Sequence, residues 1–478
     1  MKITARKTAA GLLAMGMFVF SGAALATNGY FTHGVGTQSK GMAGTGVGSN
    51  ANMGSIISAS NPALGVFVDD RWEAGLSIFS PRRSYTASAS QLNGAFIDLG
   101  GCDPMAPDPA VCLPSHTIAE GKIDSSSEYF PIPYVAKNWS LQNDANITAA
   151  FYGRGGMNTD WDSSNASATS YFCGATPLGA PATGPGPYCA GKAGVDLSQA
   201  FLNINYSAKS GDNFAWGIGP VLAVQMFEAN GVATFTPVTN SFNASGGTTL
   251  PTALSNNGHD MAFGWGITGG IWAGLSDNVS VGLSYQSKIS MGEFDDYADL
   301  FAEDGDFDIP SSIKAGISVI ATDALRVNFD IEHTAFGEVD SVGNPMANLF
   351  SCPAVPGGTD LESCLGGANG AGFGWDDMTT YKLGFEWQRD ETSTWRFGYS
   401  YGEQPVQSAD VLFNILAPGV MEQHVTFGLT WKTGSGGAWD FSFMYAPEKS
   451  VTGPSAFDPT QTIKLEMNQL EFEVAYSF

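Results

Sequence analysis

Charge is what this chain has least of: Asp, Glu, Lys and Arg make up 14% of 478 residues, against about 25% in ordinary soluble domains. Positive charge is scarcer still, with 21 Lys and Arg against 46 Asp and Glu and a formal net charge of −25. A nucleic-acid binder, which needs a cationic face to displace counterions from phosphates, is thereby disfavoured. Beyond the N-terminus the chain lacks any apolar stretch of the 18 or more residues that a membrane helix requires. If it spans a membrane, it must do so with strands. There is no G-X-Y period or proline-rich tract to accompany the 60 glycines, so collagen-like and disordered classes drop out. His259, the likeliest base in an outer loop, has only generic Ser and Asp residues near it, so an enzyme is not expected.

What is present begins with an export signal. Lys2, Arg6 and Lys7 precede an apolar run from Ala9 to Phe20, and Ala24-Leu25-Ala26 offers the small residues that a signal peptidase accepts. Residues 1–26 therefore read as a cleaved signal peptide. The six cysteines fall into three local pairs, Cys102 with Cys112, Cys173 with Cys189 and Cys352 with Cys364, which in an exported chain read as disulfides. No C-x-x-C occurs and the five histidines show no ligand spacing, so neither a metal site nor any other cofactor is expected.

The clearest segment is the C-terminus. Leu470, Phe472, Val474, Tyr476 and Phe478 alternate with polar or small residues in a period of two, the mark of a strand with one apolar face. The pattern recurs in Val425/Phe427/Leu429/Trp431, Tyr381/Leu383/Phe385/Trp387 and Trp439/Phe441/Phe443/Tyr445. Aromatics near the ends of these faces suit a girdle at a membrane interface. About fourteen such segments are expected: 70–86, 127–139, 145–159, 196–208, 213–229, 261–274, 278–291, 310–321, 324–337, 377–388, 393–403, 420–432, 438–447 and 461–478. Their connections alternate between short, as in Leu141 to Asp144, and long: 87–126, 160–195, 230–260, 292–309, 338–376, 404–419 and 448–460. All three cysteine pairs lie in long connections. Long loops at one end and tight turns at the other describe an all-β outer-membrane barrel of a Gram-negative cell. In lipid it must close on itself, leaving no free edge.

Before the first strand, residues 27–67 are rich in Gly, Ala, Ser and Asn and nearly uncharged. A segment of this kind folded into the lumen would stopper a bore that otherwise leaks, and Gly41, Gly44, Gly46 and Gly48 suit close backbone packing there. The barrel proper then runs over 68–478. The third strand reads Phe151-Tyr152-Gly153-Arg154-Gly155-Gly156-Met157, and Gly153, Gly155 and Gly156 weaken the ladder enough for a bulge or kink. With the aromatic faces turned to lipid, Arg154, Lys314, Arg326, Lys382 and Arg396 point inward, where the first four are the candidates to meet a ligand carboxylate. The segment 293–308 holds eight carboxylates. Without EF-hand spacing it reads first as a solvated acidic loop, with divalent-cation binding near lipopolysaccharide as the alternative, and Tyr297, Leu300 and Phe301 form a candidate capture patch.

Asn28-Gly29-Tyr30-Phe31, His33-Gly34, the run from Ser39 to Gly46 and Asn61-Pro62-Ala63-Leu64 together resemble the FadL outer-membrane transporters for long-chain fatty acids, a family that includes toluene and other hydrocarbon transporters. Ser80-Pro81-Arg82-Arg83-Ser84-Tyr85, Pro131-Ile132-Pro133-Tyr134 and the terminal Phe478 add to the likeness. The resemblance implies a monomeric barrel with an N-terminal hatch, in which His33, Asn61, Pro62 and Ala63 serve seating or gating. It implies capture of a hydrophobic ligand by outer loops, an apolar pocket inside, and sideways release through a kinked third strand. The final aromatic resembles the signal read by the barrel assembly machinery. Fatty acids are the first expectation, aromatic or alkane hydrocarbons the alternative, and a general diffusion porin a more distant one. The three cysteine pairs depart from the family pattern.

Overall fold

The computed structural model describes residues 28–104, 107, 108, 110–162, 164–173, 181–434 and 436–478. The signal peptide expected over 1–26 lies outside them. Fourteen long strands form the wall: β1 Arg71–Ala87, β2 Phe130–Ser140, β3 Ala145–Asn158, β4 Gly194–Lys209, β5 Phe214–Asn230, β6 Asp260–Ser276 and β7 Val279–Gln286. They continue with β8 Ser312–Thr322, β9 Leu325–Thr334, β10 Met378–Gln388, β11 Ser393–Gly402, β12 Gln423–Lys432, β13 Ala438–Ser455 and β14 Asp458–Ser477. Each pairs antiparallel with its neighbours in sequence, and β1 closes the barrel on β14 from Glu73↔Ser477 to Ala87↔Ile463. Closure leaves no edge in lipid, where an unpaired amide would cost several kcal/mol.

The alternation seen in the sequence sorts the two faces. Leu76, Ile78, Phe397, Phe443 and Phe472 are exposed outward, while Glu73, Ser77, Asp330, Glu332, Lys382, Arg396, Glu471 and Glu473 are buried inside. At the end with the tight turns, Trp387 faces Trp395 across β10 and β11, Trp431 faces Trp439 across β12 and β13, and Trp72 packs edge-on to Trp139. This is the aromatic girdle of one membrane interface.

At the other end the long connections fold over the mouth as a dome with an apolar core continuous with the upper lumen. The three cysteine pairs are bonded within it, with Cα separations of 5.0, 5.5 and 4.9 Å. One connection differs from the reading above. The stretch 448–460, whose Gly453, Pro454 and Pro459 suggest a loop, continues β13 and β14 as a long hairpin. Its strands pair from Lys449↔Met467 to Pro454↔Thr462 after a register shift beyond Ala446.

Candidate functional site

Residues 28–67 pack inside the barrel. Its apolar residues form a small cluster of Met42, Met53, Ile57 and Leu64 with Trp272 of the wall, and polar contacts and close backbone approach add to it. A Cβ on Gly41 would lie 2.8 Å from Gly428 Cα, and one on Gly48 would lie 2.6 Å from the Gly316 carbonyl oxygen. The hatch meets the wall here at distances that only glycine permits. Asn61 Oδ1 accepts the Ala63 amide at 3.0 Å, while its Nδ2 donates to the Val47 carbonyl at 2.9 Å and to the Ile271 carbonyl on β6 at 3.1 Å. Pro62 continues that turn against Gly217 on β5. Asn-Pro-Ala thus ties the hatch to itself and to two strands.

Charge fixes the other side. Lys40 donates to Glu471 and Glu473 on β14, both at 2.6 Å, and Thr37 donates to Glu473 at 2.6 Å. Burial lowers the Lys40 ammonium, but the two carboxylates outweigh it and hold its pKa above the usual lysine value. Asp330 on β9 accepts the Gly46 and Val47 amides at 2.8 and 3.0 Å. His33 stacks on His424 at 5.8 Å and sits 3.5 Å from Glu471. Burial dominates there and brings its imidazole down to about 4, against the opposing pull of Glu471.

The cations proposed from sequence point inward, but all have protein partners. Arg154, Lys314 and Lys382 converge on the single carboxylate of Glu332 at 3.1, 3.3 and 2.6 Å. Arg326 and Arg396 share Glu386 at 4.0 and 2.8 Å. The Glu332 cluster carries more positive than negative charge and lies against the side of the hatch: Lys382 donates to the His33 carbonyl at 2.9 Å, and the Arg154 guanidinium sits 4.7 Å above the Phe31 ring. Arg83 on β1, absent from that set, is buried beside Phe130 with both terminal guanidinium nitrogens unpartnered. Strand parity was the available signal, since Arg83 shares a face with Ser77 and Phe79.

The wall is irregular where the third strand predicts it. Gln199 faces Gly155 and Ala200 faces Gly153, so Arg154 is the extra residue of a bulge between β3 and β4. On the other side, the β2–β3 ladder runs from Ser140↔Asn146 only to Tyr134↔Tyr152. β2 continues to pair with β1 as far as Phe79↔Phe130, which places the missing donors of Pro131 and Pro133 on the side facing β3. The hatch takes the vacated edge: Thr32 donates to the Arg154 carbonyl and Gly156 to the Tyr30 carbonyl, both at 3.0 Å. A crevice of about 10 Å³ remains between Val35 of the hatch and Pro133 and Gly153 on the two strands.

Above the hatch, Tyr30 and Phe31 meet Phe336 and Trp375 as an aromatic cluster. Under the dome an apolar cavity of about 40 Å³ is lined by Phe227, Phe235, Leu300, Phe301, Phe373 and Leu416, among others. Two residues of the candidate capture patch, Leu300 and Phe301, line this cavity, and Tyr297 is buried beside them. The acidic loop around it holds Asp306 half-buried beside the buried Asp308, and desolvation, with that neighbouring charge, raises the Asp306 carboxyl to about 7.

The sequence model of the outer membrane protein transport family (OMPP1/FadL/TodX) matches residues 18–476. The chain belongs to this family. Among solved structures, it is similar to the P. putida toluene transporter TodX (TM-score 0.59, 16% identity, covering 93% of this chain and 98% of that one). The Ralstonia pickettii toluene transporter TbuX (0.54, 14%, 93% and 98%) and a Pseudomonas aeruginosa FadL homologue (0.58, 14%, 94% and 99%) share the fold as well. No curated protein matches by sequence. The protein is an outer-membrane β-barrel of a family that transports hydrophobic compounds.

Proposed function

We propose that this family member takes up long-chain fatty acids, capturing them at the dome, holding them in the apolar space beneath it and releasing them sideways between β2 and β3. The observation that carries the reading is the short β2–β3 ladder, whose free edge on β3 is occupied by hatch residues rather than by the wall. Asn61, Pro62, Ala63 and His33 keep the hatch seated. Movement of residues 30–32 would uncover Gly153, Gly155 and Gly156, opening a path that avoids the aqueous periplasm. In this scheme the excess positive charge around Glu332, from Arg154, Lys314 and Lys382, meets the carboxylate on its way, with Arg326 lower in the bore. The protein acts as a monomer, without catalysis, inserted by the barrel assembly machinery and surrounded by lipopolysaccharide.

A second reading, uptake of monoaromatic hydrocarbons, has support in two of the similar structures being toluene transporters. Uptake of labelled oleate and labelled toluene by a deletion strain, with and without the gene, separates the two. Restoration of oleate uptake supports the first reading and restoration of toluene uptake alone the second. Neither, together with steady ion conductance in planar bilayers, would favour a porin.

A further inference from the structure

Among the described residues, buried Lys40, Lys137, Arg154, Lys382 and Arg396 each touch a carboxylate. Arg83 does not. It is 4% exposed, its two terminal nitrogens have no hydrogen-bond partner, and the closest aromatic face, that of Phe130, lies 5.9 Å from its central carbon. A guanidinium cannot shed its charge as a lysine can, so a fold that buries one without a counterion holds a place for an anion from outside.

The surroundings specify that anion. On the outer side of Arg83 opens a polar cleft of about 260 Å³ lined by Arg82, Lys122, Glu128, Glu448 and Glu466, among others. Arg82 is taken by Glu128, and Lys122 and Lys464 both lean on Glu466. Acids outnumber bases on that lining, which repels a small free anion. On the lumen side Arg83 borders a crevice lined by Met157, Trp375, Leu416 and Pro418 and closed to about 10 Å³. An anion that enters past the acids needs a tail whose burial there offsets the repulsion.

We propose that Arg83 anchors the carboxylate of an amphipathic acid at the mouth of the lumen, through the paired hydrogen bonds that a guanidinium fork gives a carboxylate. The proposal rests on the transport reading above and adds to it a residue that holds the head group, apart from the cations gathered on Glu332. A tail following the head would part the segment 416–419 from Met157 and Trp375.

The test compares dodecanoate with dodecanol, which share a tail and differ in charge, by titration calorimetry on the full detergent-purified protein at pH 8. The wild type should bind the acid at least about tenfold more tightly than the alcohol. Arg83→Met should bind both alike, with alcohol affinity unchanged, and should unfold at a higher temperature than the wild type without ligand, because an unpaired buried charge has gone. Should the methionine variant fail to insert, Arg83→Lys must still reduce the preference at least about threefold, since an ammonium lacks the fork. A preference that survives in either variant overturns the anchor, as does displacement of bound dodecanoate by inorganic phosphate at comparable concentration, which would assign the site to a lipid phosphate. Equal binding of acid and alcohol by the wild type also overturns the anchor while leaving the transport reading intact. If the wild type binds neither, the transport reading itself falls.

Discussion

Two seams on either side of the first hairpin are built to opposite specifications. Between β1 and β14, which join the chain's two ends, the ladder runs unbroken from Glu73↔Ser477 to Ala87↔Ile463. Between β2 and β3, which a tight turn makes neighbours, it stops at Tyr134↔Tyr152, and hatch residues complete the edge. Sequence neighbours ordinarily make the easier pairing, since their loop-closure cost is small. The weak seam is therefore a product of side-chain choice: two prolines on one strand, and a bulge with three glycines on the other. The ladder is unbroken where the chain's ends meet and short where the proposed exit lies.

The contrast can be broken most forcefully through the hatch. Lys40→Met leaves Glu471 and Glu473 buried without their cation, a cost of about 3–5 kcal/mol. The hatch should then loosen, giving larger and noisier conductance in planar bilayers, while amides in the β1–β14 ladder keep their protection from hydrogen exchange. A smaller effect is expected from Gly155→Val, whose Cβ would lie 2.1 Å from Gln199 Oε1 and 3.0 Å from Phe31 Cδ1. Overpacking of about 1–3 kcal/mol should push Phe31 out of the seam, visible as a lower thermal midpoint and altered uptake. The opposite intervention is Pro131→Val with Pro133→Val, which restores donors on the side facing β3. Each new hydrogen bond is worth about 1 kcal/mol, so the midpoint should rise and uptake fall. An unchanged uptake rate in this double variant would remove the β2–β3 exit.

The mildest handle is pH. Because burial holds the folded His33 imidazole near 4 while a free histidine titrates at about 6.5, its contribution to hatch seating is complete above about 6.5. It is lost as pH falls from there towards 4. At pH 6 the loss is below about 1 kcal/mol, detectable as a modest increase in channel noise that His33→Asn should abolish.

The wall was legible from the sequence because an outer-membrane strand advertises its parity: Leu470 to Phe478 and Tyr381 to Trp387 are laid down with the faces their alternation predicts. The weak seam was half legible. Gly153, Gly155 and Gly156 marked the bulge, but the part played by Pro131 and Pro133 depends on which neighbour each missing donor would have faced, a matter of register. The ion pairs were not legible at all. Glu332 gathers partners from β3, β8 and β10, and nothing local to Arg154, Lys314 or Lys382 announces a shared carboxylate. Arg83 is illegible for the converse reason, since a lone buried cation differs from a paired one only by what is missing around it. The hairpin through 448–460 escaped because its glycine and prolines imitate a loop, while its long-range pairing with Lys464 and Met467 overrides them.

That hairpin has a consequence for height. β14 spans 20 residues, which at about 3.3 Å each makes a rod of roughly 65 Å, against about 30 Å of hydrocarbon. Even allowing for a tilt of about 40°, its outer third stands clear of the acyl layer. A greasy molecule approaching from the medium would meet a mast and dome well above the hydrocarbon layer.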